Sequence, residues 1–403
     1  PELSDAIEAY VKAMNTGKGV NEPKLESAIV QENLTIRQLP DVKGNPFFVA
    51  FSSDGDPLMI ETEGEEWRQI TKDIANAIGF NLSVSLGGYG SAADYQQLVQ
   101  FQKSNFNSGM VYFGSNNWTG EGTADISAPQ SDAGIAQSAG MKNVLGLNLL
   151  WANDVPNWIK NGNFSSDQMQ NIITNYLKNT IGAMNGKINS WVVVNEFNHT
   201  DNGVDAFKKA MGDGYVDYTF AQARKLDPKA TLIYNDYANE TIDGERYGIT
   251  KQIIDRLKTV DSNIGVGLQM HIQWNNVPDM NKVIEAMQSY GVPVYVTEFD
   301  VNMDGFPGTQ AEKEKLQADI YKKMVSASVR SGVVKQFNVF GLIDRLSVWE
   351  APGRFGGHQN ADPLILHDDF SPKQSFWGIQ AGLIVGAQPA IVPSKRNFHY
   401  SRI

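Results

Sequence analysis

The feature that most constrains this chain is a rhythm. From residue 80 onward, short apolar runs rich in β-branched and aromatic residues return at regular intervals, and a helical pattern fills each gap. The runs lie at 81–86 (NLSVSL), 109–113 (GMVYF), 143–151 (NVLGLNLLW), 190–195 (SWVVVN), 231–235 (TLIYN), 265–270 (GVGLQM), 293–297 (PVYVT) and 336–341 (QFNVFG). Helices are expected at 94–104, 130–139, 167–184, 215–225, 247–258, 280–290, 311–331 and 373–383. Asp94, Asp167 and Asp279 stand at expected N-caps, and Gly140, Gly291 and Gly332 at expected C-terminal stops. Eight strands alternating with eight helices predict an α/β fold of the (β/α)8 TIM-barrel type. The competing doubly wound sheet usually opens with a Gly-rich phosphate turn. Here Gly88-Tyr89-Gly90 runs on into Ser91, Ala92 and Ala93, so that fingerprint fails.

Residues 1–79 do not follow the rhythm. Helices are expected at 4–14 and 65–78, and strands at 47–52 and 57–60, with a hairpin around Asp54-Gly55-Asp56. No Ser- or Pro-rich linker follows, which predicts an N-terminal extension (1–79) packed on the barrel (80–390), with a short tail at 391–403.

Composition narrows the chemistry. There is no cysteine, hence no thiol nucleophile, thiolate metal site or disulfide framework. The net charge of −11 argues against a nucleic-acid partner, whose phosphates demand a basic face. No run of about 18 apolar residues is present to span a membrane. The chain opens Pro-Glu-Leu-Ser, which reads as a processed or trimmed start. Asn-x-Ser/Thr sequons at Asn81 and Asn198 fall on strand one and on the barrel rim, where a glycan would disrupt, so they read as accidental. Together these features fit a secreted bacterial protein acting as a monomer, with no cofactor. The acids around Asp300–Asp304 do not have the spacing of an EF-hand loop.

In such barrels the functional groups stand at the C-terminal strand ends. Strand four ends in Asn195-Glu196, strand five in Asn235-Asp236-Tyr237, strand six in Gln269-Met270-His271 and strand seven in Thr297-Glu298. Trp151 closes strand three, and strand eight leads toward Asp344 and Trp349. One such Glu alone is often only a solvated rim residue. Two carboxylates facing each other across a barrel mouth suit glycoside hydrolysis, where one protonates the leaving oxygen and the other attacks the anomeric carbon. Asn195, beside the first Glu, is placed to bond a sugar 2-hydroxyl. Trp151, Trp118, Trp274, Trp349 and Tyr237 are candidate stacking platforms, whereas Trp191, inside strand four, reads as core.

These motifs resemble glycoside hydrolase family 10, the endo-β-1,4-xylanases of clan A. Trp191-Val192-Val193-Val194-Asn195-Glu196 is similar to the family's Trp-Asp-Val-Val-Asn-Glu, and Thr297-Glu298-Phe299-Asp300 to its Thr-Glu-Leu-Asp. Tyr234–Tyr237 (YNDY), the GLQMH run ending at His271, FNSGMVYFGSNNW and PLILHDDFSPKQSFWGI follow in matching order over residues 80–385. The resemblance implies Glu196 as general acid/base and Glu298 as nucleophile, with retention of configuration. It implies that His271 bonds Glu298 and that Gln269 and Asn195 contact the sugar of a polysaccharide or oligosaccharide substrate.

The departures cluster where the family holds the sugar on the non-reducing side. Its Gly-His-Thr-Leu-Val-Trp-His reads Gly146-Leu147-Asn148-Leu149-Leu150-Trp151-Ala152 here. Its strand-two Lys is Asn117, its strand-eight Trp is Phe340 with the next Trp displaced to Trp349, and its acid/base-motif Asp is Val192. Asn117, Asn148 and Asn153 are candidates to replace the lost contacts. A hydrolase of another β-glycan and a non-catalytic sugar-binding or scaffold barrel stay open as alternatives.

Overall fold

A computed structural model describes residues 35–40, 46–51, 57–62, 71–87, 92–184, 186–201, 205–351, 357–358 and 360–387. Eight parallel strands close on themselves: β1 (Leu82–Ser85), β2 (Ser108–Tyr112), β3 (Asn143–Leu147), β4 (Ser190–Asn195), β5 (Thr231–Asp236), β6 (Ile264–Leu268), β7 (Val294–Asn302) and β8 (Val334–Val339). Each pairs in parallel with the next, and β8 returns to β1 through Phe337 opposite Leu82. The chain is therefore a TIM barrel, as its rhythm predicts.

Both faces of these strands are covered, which is why they read as near-continuous apolar runs. Every residue of β4 is buried. Side chains alternate between two destinations. Val192 joins Met110, Leu145, Leu147, Ile233 and Tyr295 in a small cluster inside the barrel. Trp191 and Val193 join the larger cluster beneath the helices. The β8–β1 side of the interior is polar instead: Gln336 donates to Ser83 (2.9 Å) and Ser83 to Asn338 (2.9 Å).

The expected helices appear at Ala92–Asn105, Ser127–Ser138, Ser166–Met184, Tyr215–Leu226, Tyr247–Leu257, Met280–Ser289, Gln310–Ser331 and Gln374–Ala387. Asp279 caps its helix, accepting from the N–H groups of Asn281 and Lys282. Gly140, Gly291 and Gly332 adopt positive φ at helix ends. Asp94 and Asp167 are not caps. They lie in the first helical turn, and Asp94 pairs with Arg345 at 2.9 Å.

Two apolar runs break differently from expectation. The third is not one strand: β3 stops at Leu147, the Leu147–Asn148 peptide is cis, and Leu150–Trp151 pairs separately with β4. The seventh is longer, because His271–Gln273 pairs with Asp300–Asn302 and extends β7 beyond its apolar core. Before the barrel, Pro46–Phe51 and Pro57–Thr62 form the expected antiparallel pair, and Thr35–Pro40 adds a third strand that the sequence reading lacks. A helix follows at Thr71–Ala77. The expected helix at 4–14 and the tail at 391–403 lie outside the described residues.

Candidate active site

The ends of β4 to β7 converge on two buried carboxylates. Along an extended strand Asn195 and Glu196 would face opposite ways. Glu196 adopts φ 54, and the turn brings its carboxylate back within 3.3 Å of the Asn195 amide, which donates to it. The Glu196 N–H is held by the Asn235 carbonyl at 3.0 Å. One carboxylate oxygen accepts from Gln269 Nε2 (2.7 Å) and the other from Trp151 Nε1 (2.8 Å). Residues at the end of β4 and β5 and from the segments after β3 and β6 therefore all grip Glu196.

Glu298 is fixed separately. It accepts from Asn235 Nδ2 at 3.0 Å and meets His271 Nε2 at 3.2 Å. The same Asn235 amide donates to Asn195 Oδ1 at 2.9 Å, so the two acids are joined through Asn195 and Asn235. Thr297 Oγ1 donates to Asn235 Oδ1 at 2.8 Å, which fixes how that amide is turned. Gly267 makes room for it: a Cβ there would meet Asn235 Oδ1 at 2.1 Å.

His271 lies between Glu298 and Asp300, whose Oδ2 is 2.9 Å from Nδ1. Burial works against its charged form, but the two carboxylates prevail and lift it to about 10, so the ring is an imidazolium at neutral pH. Burial pushes Glu298 upward and Glu196 adds to that push, while the imidazolium and the Asn235 amide pull it down. Trp349 donates to Asp300 (2.9 Å) and presents its edge to His271, as does Phe340 on another side. Among the described residues, no group of His, Asp and Glu is placed to hold a metal ion. Both His271 ring nitrogens already face carboxylates.

A second layer locks the turns. Arg246 grips both oxygens of Asp236 (3.0 and 2.9 Å) and also donates to the Phe197 carbonyl. Tyr234 donates to Asp236 and accepts from the Phe197 N–H. Burial lifts Asp236 to about 6 despite Arg246. Arg246 belongs to no strand-end motif, and its partners are 10 and 49 residues away, so no local signal marks it. Asp300 is a second omission: it stands in the strand-seven motif, but its role behind His271 needs β7 to run past Glu298.

The sequence candidates divide. Glu196, Glu298, Asn195, Gln269, His271, Trp151 and Trp349 belong to one connected network. Tyr237 stands beside it, bonded to His199 Nδ1 at 3.0 Å. Asn117 does not join: its amide donates to the Asp125 carbonyl and accepts from the Gly114 N–H within its own loop. Trp118 is no platform. It is 4% exposed and stacks on Tyr176 at 4.0 Å in the core. Trp274 remains partly exposed at the rim, packed edge-on to Phe306. Trp191 is core, as read.

A family model of glycosyl hydrolase family 10 matches residues 119–381. Endo-1,4-beta-xylanase B of Thermotoga neapolitana is 30% identical over 247 residues, covering 59% of this chain and 68% of that protein. Endo-1,4-beta-xylanase A of Fusarium oxysporum f. sp. lycopersici is 30% identical over 243 residues, 57% of this chain and 72% of that protein. Among solved structures, xylanase 10B from Thermotoga maritima superposes with a TM-score of 0.70 at 23% identity, over 79% of this chain and 99% of that one. Xylanase 10B from Thermotoga petrophila RKU-1, solved with xylobiose, gives 0.69 at 23% identity, over 81% and 100%. At such identities the superpositions speak for the fold.

Proposed function

The chain belongs to glycosyl hydrolase family 10, and on that premise we propose that this glycoside hydrolase is a retaining endo-β-1,4-xylanase with Glu298 as nucleophile and Glu196 as acid/base. The observation that carries this reading is the pair of separately held carboxylates joined by Asn195 and Asn235, with an imidazolium against only one of them.

A Glu298 oxygen attacks the anomeric carbon as the glycosidic C–O bond breaks, and Glu196 gives its proton to the departing oxygen. This leaves a glycosyl ester on Glu298 and a carboxylate on Glu196. Glu196 then takes a proton from water as the water oxygen attacks the same carbon, and Glu298 departs. Two inversions restore the configuration. His271 keeps positive charge beside Glu298, which favours the carboxylate as both attacking and leaving group. The Asn195 amide has a second N–H available for a sugar hydroxyl. Gln269, Trp151, Tyr237 and Trp349 would line the sugar path.

The same reading carries an extracellular location, since a polymer of this kind is met outside the cell. It also carries a monomer, without nucleic-acid or membrane partners. No described helix is long and apolar enough to cross a membrane.

The test is reducing-end release from xylan, mixed-linkage glucan, cellulose and mannan, with Glu298→Ala as control. Release from xylan that disappears in the variant is the expected result. Release from another glycan would make the altered strand-two and strand-three residues a specificity change. A folded chain silent on every substrate would favour a sugar-binding or scaffold barrel.

A further inference from the structure

His199 has no part in the chemistry above, and no motif in the sequence draws attention to it. It sits on the turn after β4, with its N–H bonded to the Glu196 carbonyl at 3.1 Å. Its imidazole meets the Tyr237 hydroxyl at 3.0 Å through Nδ1, with the rings edge to face at 5.1 Å. On its other side Nε2 lies 3.6 Å from Asp201 Oδ1. Asn153, from the loop after β3, binds this turn twice: its Nδ2 donates to the His199 carbonyl (3.4 Å) and its Oδ1 accepts from the Asp201 N–H (2.9 Å). The Arg246 guanidinium also packs over the Tyr237 ring, 5.4 Å from its centroid.

We propose that His199 is a positioning residue: it holds the Tyr237 phenol at the wall of the cleft beside Glu196 and sets the direction of its hydrogen bonding. Asp201, 3.6 Å from Nε2, favours a proton on that nitrogen, and an unprotonated Nδ1 accepts from the phenol. The Tyr237 hydroxyl then donates to His199 and offers the cleft only its oxygen lone pairs. A sugar hydroxyl binding there must donate. Tyr237 follows the strand whose Asn235 carbonyl holds the Glu196 N–H, so this wall adjoins the acid/base. The sugar it would select is the one on the leaving side of the scissile bond.

The inference rests on the proposed glycosidase reading and on Tyr237 meeting substrate, and the experiment separates the layers. Two substrates are compared: a β-1,4-xylo-oligosaccharide, with a sugar on the leaving side, and a nitrophenyl β-xylobioside, without one. If the wild type cleaves a different β-1,4-glycan, its oligosaccharide and nitrophenyl glycoside replace this pair. Failure on xylan thus counts against the xylanase reading alone.

His199→Phe keeps a ring and its packing but removes both nitrogens. It should raise KM for the oligosaccharide about five- to tenfold with kcat changed by less than about twofold, as expected for one lost binding hydrogen bond, and leave the nitrophenyl substrate unchanged. His199→Asn, whose amide can accept near the Nδ1 position, should restore most of the loss. Tyr237→Phe should reproduce it, and Tyr237→Phe with His199→Phe should add nothing further. Equal losses of His199→Phe on both substrates, no loss on either, or no rescue by His199→Asn would overturn the proposal.

Discussion

The two halves of the barrel mouth are built differently. At the ends of β4 to β7, side chains from different strands satisfy one another: Asn235 bonds both Asn195 and Glu298, Gln269 reaches Glu196, and His271 spans two carboxylates. Near the ends of β2, β3 and β8 the polar ties are sparser: Tyr112 donates to Asp154 at 3.0 Å, and Trp151 and Trp349 reach across to Glu196 and Asp300. Leu147 packs in the inner cluster, with Tyr112 and Phe340 against it, and Asn117 bonds only its own loop. The first half is a cross-strand lattice in which moving one residue moves several. The second is joined by fewer such bonds. The family resemblance is strong over the lattice and weak over the sparser half, which fits reaction chemistry constraining one and substrate shape the other.

The largest break in this contrast should come from the acids. Glu298→Ala should lower kcat on the order of 10⁴-fold or more, and Glu196→Gln about 10²- to 10⁴-fold. The Glu196→Gln loss should shrink on a nitrophenyl glycoside, whose leaving group needs no proton. Steady-state kinetics on both substrates reads this directly, and an equal loss on both would remove Glu196 from the acid role.

Gly267→Ala tests the lattice without touching an acid. Its methyl would collide with Asn235, which must then release Asn195 or Glu298. A kcat loss of about 10²-fold is expected, with about 1–3 kcal/mol of destabilisation in urea titration. Full activity would mean that the amide bridge is dispensable.

His271→Asn examines the charge. The folded imidazole is raised from 6.5 to about 10. Its stabilisation is therefore complete below the ordinary imidazole range and is lost as pH rises through about 10. Wild-type stability and kcat should both fall in that alkaline window as Glu298 loses its positive neighbour. The variant should lack this step in its pH–stability profile. An identical alkaline step in the variant would assign the loss to another group.

The smallest effect belongs to the sparser half. Asn117→Ala should change kcat/KM by less than about threefold and stability by about 1 kcal/mol, because its partners are backbone groups of one loop. A tenfold loss would mean that this loop meets substrate, and would blur the contrast.

Much of the lattice was legible in the sequence because each member ends an apolar run, and a barrel directs such ends to one rim. Glu196, Glu298, Gln269 and His271 could be gathered on one rim on that ground, whereas the bond between His271 and Glu298 was implied only by the family resemblance, and that between Gln269 and Glu196 appears only in the structure. Arg246 could not, because its role exists only after distant turns meet. Trp118 misled because residue type suggests a sugar platform, while its stacking on Tyr176 is a tertiary fact. The extension of β7 was hidden for a similar reason: Asp300–Asn302 becomes strand by pairing with His271–Gln273, a partner no local pattern announces.

The left-handed backbone at Glu196 has a further meaning. A side chain bearing a Cβ pays about 1–2 kcal/mol to sit there, and glycine would not. Against that strain stand three donors that share the carboxylate as acceptor, from Asn195, Gln269 and Trp151. The turn and the network therefore hold each other: glycine at 196 should relieve the backbone and still destabilise the fold, because three donors lose their common acceptor.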